Sequence, residues 1–285
     1  MVLLPMIKLL KKAQKESYAI GYFESWNLES TRAVVDAAEE AHSPVIIGFG
    51  GSLLAASGHN LRDYAAVGKI LSERTKVPTA LLLNEALDFQ QIKEGIKYGF
   101  SSVMFDGSFM PYEENIKLTR KIADACHSMG VSVEGQLDRL PHAKYGRFKE
   151  DIVAFLTDPE KAANFVNQTG IDALSISVGN IHSLYKEKAK IDFHRVEKIR
   201  ELIDVPLVIH GATGISDTDV QKLVSLGVCK INLGTELRLN FINSMIKVFE
   251  KGNVIFPEDI LGVAEQELKN LVKKKMRVYR CSFKA

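Results

Sequence analysis

The chain has 285 residues, enough for one large α/β domain of the ~250-residue barrel type or for two small domains. Hydrophobic residues make up 46% and charged residues 25%, with 37 Lys plus Arg against 35 Asp plus Glu and a net charge of +2. That near balance gives no reason to expect nucleic acid or an anionic membrane as a partner. The widely spaced Cys126, Cys229 and Cys281 exclude a disulfide framework or a Cys-x-x-Cys zinc knuckle and fit a reducing cytoplasm.

The opening stretch MVLLPMIKLLKKAQKE reads as an amphipathic helix. It lacks a basic leader region and a long apolar core, so no signal peptide is expected. No window reaches 18 uninterrupted apolar residues, so no membrane span is expected. Strands and helices then alternate. The first predicted strand is 18–23, followed by a helix over 27–41. The second is 44–49, with a helix over 61–75. The third is 79–83, with a helix over 88–99. The fourth is 101–106, with a helix over 111–130 that has Pro111 at its permitted start. The fifth is 131–135, followed by a polar insertion at 137–151 and a helix over 158–170. The sixth is 172–177, with a helix over 193–203. The seventh is 206–210, with a helix over 216–227. The eighth is 228–232, with a helix over 235–251.

Several of these strands are continuously apolar, as parallel strands covered on both faces should be. Eight strand–helix units predict a closed parallel (β/α)8 TIM barrel rather than a doubly wound open sheet, and no GxGxxG follows the first strand. No linker rich in Pro, Gly or Ser interrupts the chain. We expect one barrel domain over 1–285, with an N-terminal helix and a C-terminal helical tail. The basic run KKKMR at 273–277 reads as a solvated helix face or an active-site flank.

In such a barrel the active site lies at the C-terminal strand ends. The third strand runs into Asn84 and Glu85, a costly place for a lone carboxylate. The fifth is expected to end at Glu134, the loop after the sixth carries His182 and Lys186, and the seventh ends in His210. Two imidazoles and a carboxylate form a divalent-metal donor set: Glu85, His182 and His210, with Glu134 beside them as a supporting group or alternate ligand. The bland alternatives are a surface-loop histidine at 182 and a histidine bonded to a backbone carbonyl at 210. His42, His59, His127, His142 and His194 take bland readings, although His142 lies in the insertion that could fold over the mouth.

The sequences HGATG (210–214) and NLGTE (232–236) follow the seventh and eighth strands. Barrels often bind phosphate there, with glycines admitting the ligand to backbone N–H groups at helix starts. Gly211, Ala212 and Thr213 would form one cradle, and Asn232, Gly234 and Thr235 the other. The alternative is a pair of tight turns with capping hydroxyls.

Over nearly its whole length, through SYAIGYFESWNLES, GFSSVMFDGS, GVSVEGQL, TGIDALSISVGNIHSLYK, PLVIHGATGI and KINLGTELR, the chain resembles the class II, metal-dependent ketose-bisphosphate aldolases. The resemblance implies a (β/α)8 barrel in which a zinc ion polarises the carbonyl of dihydroxyacetone phosphate. It implies metal ligands at Glu85, His182 and His210. It implies contacts to the phosphorylated half at Ser183, at Gly211 to Thr213, and at Asn232, Leu233, Gly234 and Thr235. It also implies a homodimer or homotetramer acting on a phosphorylated sugar.

The family usually reads HLDH where this chain reads LLNE at 82–85, so the proton-carrying aspartate becomes Asn84 and a metal histidine becomes Glu85. A carboxylate is a harder ligand, which admits manganese, cobalt or iron as well as zinc. An amide cannot cycle a proton at neutral pH. Further departures are Ser183, Gly234, Glu24, Gly50 and the loop DRLPHAKYGRF. The expectation is a divergent aldehyde-lyase with Asn84 and Glu134 at its catalytic positions, and with Glu134, His142 or Tyr145 moving the proton. The alternatives are a sugar-phosphate epimerase or isomerase, and a non-catalytic sugar-phosphate-binding subunit.

Overall fold

The computed structural model describes residues 3–252 and 254–285; Met1 and Val2, at the front of the predicted opening helix, lie outside them. In chain order the elements are α1 (Met6–Glu16), β1 (Ile20–Glu24), α2 (Leu28–Glu40), β2 (Val45–Gly50), α3 (Gly51–Ala56), α4 (Leu61–Arg74), β3 (Thr79–Ala86), α5 (Phe89–Tyr98), β4 (Ser102–Asp106) and α6 (Tyr112–His127). They continue through β5 (Ser132–Gln136), α7 (Pro159–Thr169), β6 (Ala173–Ser175), α8 (Phe193–Leu202), β7 (Leu207–Ile209), α9 (Asp217–Ser225), β8 (Val228–Leu233), α10 (Thr235–Glu250) and α11 (Pro257–Val278). The strands close in sequence order into an all-parallel barrel, with β1 paired to β8. This is the (β/α)8 barrel that the alternation predicts.

Local chemistry sets the helix starts. Asn27 accepts from the backbone of Ser30 while Ser30 accepts from the backbone of Asn27, a reciprocal cap on α2. Asp88, Asp158, Asp192 and Ser216 cap α5, α7, α8 and α9 in the same side-chain-to-backbone way. At the N-terminal end of the barrel, α1 buries Met6, Leu9, Leu10 and Ala13. Its otherwise unpaired first N–H groups donate to Ser102 and Ser132, the first residues of β4 and β5, at 2.9 and 3.2 Å. That end is therefore plugged, and the opposite end holds the cavity.

The long α11 lies on α2 and α10 through Ala264, Leu268, Val272 and Met276, all fully buried at four-residue spacing. Two lysines of the basic run on this helix are tied down by ion pairs. Lys273 pairs with Glu40, and Lys275 pairs with Asp217 and Glu236. Lys274 and Arg277 keep the expected solvated face, while no residue of the run lines the cavity, so it is not an active-site flank. Cys126, Cys229 and Cys281 are buried free thiols. Among the described residues, no helix is long and apolar enough to cross a membrane.

Four details correct the sequence reading. Helix α3 was not expected between β2 and α4. Strand β3 continues through Asn84 and Glu85 to Ala86, with a register shift against β4 between Leu83 and Ala86. Glu134 lies in the middle of β5 rather than at its end. Strand β7 stops at Ile209, so His210 stands one residue beyond it.

Candidate active site at the barrel mouth

The C-terminal strand ends enclose a cavity of 480 Å³, a size suited to a small ligand. Three side chains predicted to share a metal do converge here. One ligand atom each from Glu85, His182 and His210 lies within 4.8 Å of the others. The bulge in β3 brings Glu85 in: it holds φ +48°, a region that non-glycine residues seldom adopt, and this turns its carboxylate towards the mouth. His182 reaches the site on the loop after β6, which is tied to the strand 5 insertion by His182 N–H to Pro141 O and Ala143 N–H to His182 O, both 2.9 Å. The rings of His142 and His182 stack with centroids 4.5 Å apart, so the insertion does fold over the mouth.

His210 is almost fully buried, and its surroundings fix its proton. Nε2 lies 2.7 Å from Glu134 Oε1, while Nδ1 faces Glu85 Oε1 at 3.7 Å. A carboxylate on Nε2 makes that nitrogen the donor and leaves the Nδ1 lone pair for the cavity. Behind it, Lys230 Nζ sits 2.7 Å from Glu134 Oε2 and donates to Asn232 Oδ1 at 2.6 Å, with both charged groups fully buried. Burial opposes the charge on Glu134, but Lys230 and His210 outweigh it and hold the carboxyl below its usual range. Burial also opposes charge on Glu85, yet His210, His182 and His142 hold it at about 2. Desolvation pushes the His182 imidazole down to about 4, which keeps it neutral and able to ligate.

Desolvation opposes charge on His210, but its bonds to Glu134 and Glu85 outweigh it and raise the imidazole's pKa, so a cation there would displace a proton from that ring. A neutral His182, an ionised Glu85 and a His210 supported by a carboxylate are donors of the type a divalent cation takes. His210 Nδ1 is the ligating atom that the Glu134 hydrogen bond leaves free.

The loop backbones supply anion donors. Gly211 holds φ +67°, and a Cβ there would lie 2.7 Å from the Ile181 carbonyl, so only glycine lets the two loops touch. Ser183, Gly211, Thr213, Gly234 and Thr235 line the cavity, and Ser183 Oγ lies 3.5 Å from Thr235 Oγ1. The N-terminus of α10 begins there with its favourable dipole, although the Glu236 N–H is already donated to Thr213 Oγ1 at 3.1 Å. Ala212 is buried and does not line the cavity, so only its backbone can serve the cradle. The Asn232 side chain points away from the cradle, donating to Asn84 Oδ1 at 3.4 Å and lying 3.1 Å from His210 Nε2. Leu233 lines the wall beside it.

Of the residues expected to move a proton, Glu134 has no exposed surface, Tyr145 is 87% exposed outside the cavity, and only His142 lines it. Lys186 turns its ammonium onto the Tyr185 ring. Sequence reasoning missed Lys230, Arg238, Asn180 and Asp106. Asn180 bonds the His210 carbonyl and so joins the β6 and β7 loops. Asp106 ends β4 and lines the cavity. Desolvation raises its pKa, although Ser108 bonds one of its oxygens.

Residues 5–284 match the family model for class II fructose-bisphosphate aldolase. The chain belongs to that aldolase family. The YdjI aldolase from Escherichia coli K12 is similar over 100% of both chains at 31% identity, with a TM-score of 0.87. A putative fructose-1,6-biphosphate aldolase from Coccidioides immitis matches 97% of this chain and 96% of its own at 28% identity and a TM-score of 0.83. The fructose-bisphosphate aldolase of Campylobacter jejuni shares the fold, with a TM-score of 0.81 at 21% identity over 99% of this chain and 97% of its own. The aldolase barrel therefore accounts for the architecture, and the residues at its mouth decide the chemistry.

Proposed function

We propose that this aldolase-family chain is a divalent-metal-dependent aldehyde-lyase that breaks or forms a carbon–carbon bond in a phosphorylated ketose. The observation that carries the reading is the meeting of Glu85, His182 and His210 beside the glycine loops of β7 and β8. Those three residues would hold the cation, His210 through Nδ1. A divalent cation there supplies Lewis-acid polarisation of a carbonyl oxygen; zinc, manganese, cobalt and iron all suit the mixed donor set.

The chain's own groups do the rest. Ser183, the Gly211–Thr213 backbone and the Gly234–Thr235 turn bind the phosphate and fix the ketose carbonyl against the donor set. Cleavage removes a proton from the hydroxyl that becomes the aldehyde. Asn84 cannot take it. Asp106 faces the cavity with a carboxyl raised towards neutrality by burial, and it is the group we assign to that proton.

A second reading has its own observation. The Asn84 amide is bonded to Asn232 and carries no titratable proton, which suits an epimerase or isomerase that removes an α C–H proton to form the enediolate of the intact sugar, with no C–C bond broken. Plasma mass spectrometry after incubation with zinc, manganese and cobalt, followed by assays of ketose phosphates in heavy water, separates these outcomes. About one metal per chain, lost in Glu85→Ala, with fragmentation of a ketose phosphate supports the lyase. Deuterium incorporation without fragmentation replaces it with the epimerase. A chain that takes up no metal under any of these conditions rules out both and leaves a sugar-phosphate-binding protein.

A further inference from the structure

The outer face of α10 is apolar where a solvated helix should be polar. Its inner face buries Leu237, Phe241 and Ser244. The opposite face exposes Ile242, Ile246 and Phe249, whose four- and three-residue spacing makes one continuous stripe. The turn after the helix adds Ile255 and Phe256, and Val263 joins them from α11, which packs on α10. These six side chains are between 44% and 80% exposed. Elsewhere, exposed apolar side chains line the cavity, as Leu53, Leu87 and Phe109 do, or stand apart on separate helices, as Ile70 of α4 and Leu202 of α8 do.

Six such side chains expose on the order of 700 Å², more than the largest apolar patch on a typical monomer and close to what one partner gives to a standard interface. The charges beside the stripe favour a second copy of the chain as the occupant. Lys247 and Glu250 are exposed on α10, and among the described residues neither has an ion-pair partner. A face that carries one free charge of each sign complements itself when turned about a two-fold axis. The net charge of +2 sets little repulsion between copies. Helix α10 also opens at the mouth, where Thr235 and Arg238 line the cavity, so a copy seated on its outer face would lie beside the site.

We infer that two copies of this chain associate through the α10 stripe and the adjoining start of α11, about a two-fold axis near Ile246. The inference is independent of the ketose-phosphate reading. Sedimentation of the full chain at micromolar concentration tests it. The mass should be that of two chains or a multiple of two. Ile246→Glu should halve that mass with circular dichroism unchanged, because it alters a side chain that is already exposed. Ile70→Glu, outside the patch, should leave the mass as it is. In Ile246→Cys a short bis-maleimide should join one copy to the other, since identical residues meet at a two-fold axis and the native Cys126, Cys229 and Cys281 are buried. A single-chain mass for the parent overturns the inference. So does an assembly that survives Ile246→Glu, or one that Ile70→Glu breaks equally well. Loss of assembly in Ile246→Glu with no cross-link in Ile246→Cys overturns the two-fold axis and leaves a head-to-tail contact in its place.

Discussion

The two halves of the barrel mouth are built from different materials. On the β6–β8 side, the ligand-facing groups are imidazoles, hydroxyls and backbone N–H donors on glycine-bearing loops, and no lining carboxylate is found there among the described residues. On the β1–β4 side, Glu24 and Asp106 end β1 and β4, and Asn84 and Glu85 stand just before the end of β3. The first half offers a general grip on an anion. The second half sets what else the ligand may carry, because each acid there excludes negative charge and invites a hydroxyl or a cation. The two kinds of group meet where β1 pairs with β8, since a Cβ on Gly234 would lie 2.4 Å from Glu24 Oε2, and the Lys230–Glu134–His210 chain joins β5, β7 and β8 beneath the binding wall.

Cutting that joint should have the largest effect. Lys230→Met leaves the Glu134 carboxylate fully buried with His210 as its remaining partner. Stranding a buried charge costs about 3–5 kcal/mol, read as a lower urea midpoint at unchanged slope. The companion Glu134→Gln, Lys230→Met double variant should recover a large part of that loss. If Lys230→Met is as stable as the parent, the ion pair is not what holds His210 in place.

The next effect belongs to the acidic wall. Asn84→Asp restores a group that can carry a proton, at the turn of β3 beside Asn232. General acid–base help is worth about 100-fold at its lower end, so the rate of ketose-phosphate cleavage should rise by that order while metal content stays fixed. No gain would mean that Asp106 already handles the proton, and the two walls would then divide the chemistry differently.

How far the sequence revealed these features follows from the physics of each residue. Apolar strands and capped helices repeat, so the barrel and its order were legible. His182 and His210 were legible because both follow strands that the pattern placed. Glu85 was legible as a misplaced charge, but the bulge that turns it inward depends on pairing with β4, which no local pattern encodes. Lys230 was not legible. A lysine inside a strand reads as an outward-facing charge, and only closure of the barrel sets it against Glu134, 96 residues earlier in the chain. Asn232 was placed in the phosphate loop by its spacing, while strand alternation turned its side chain towards His210. Gly50 and Gly234 looked like departures without a cause until the Glu24 carboxylate was found between them.

That relation gives a smaller, sharper test. Gly234→Ala drives a methyl group into the Glu24 carboxylate and should cost about 1–3 kcal/mol. In a Glu24→Ala background the same change should be close to neutral, since the space is then empty. A double-mutant cycle reads the difference as coupling. Additive costs would break the claim that the glycine exists to admit the acid.

The smallest effect is expected at His142, which touches the cation site from the binding wall. Its ring stacks on His182, but the insertion is also fastened by two backbone hydrogen bonds that survive loss of the side chain. Stacking alone contributes about 1 kcal/mol, so His142→Ala should weaken metal affinity several-fold in a chelator competition, and His142→Phe should restore it. Turnover should fall no further than metal occupancy does. A loss of about 100-fold in turnover at full metal occupancy would have the signature of a lost proton carrier instead. It would move the proton from Asp106 to the opposite wall, and the acids of β1–β4 would then serve discrimination alone.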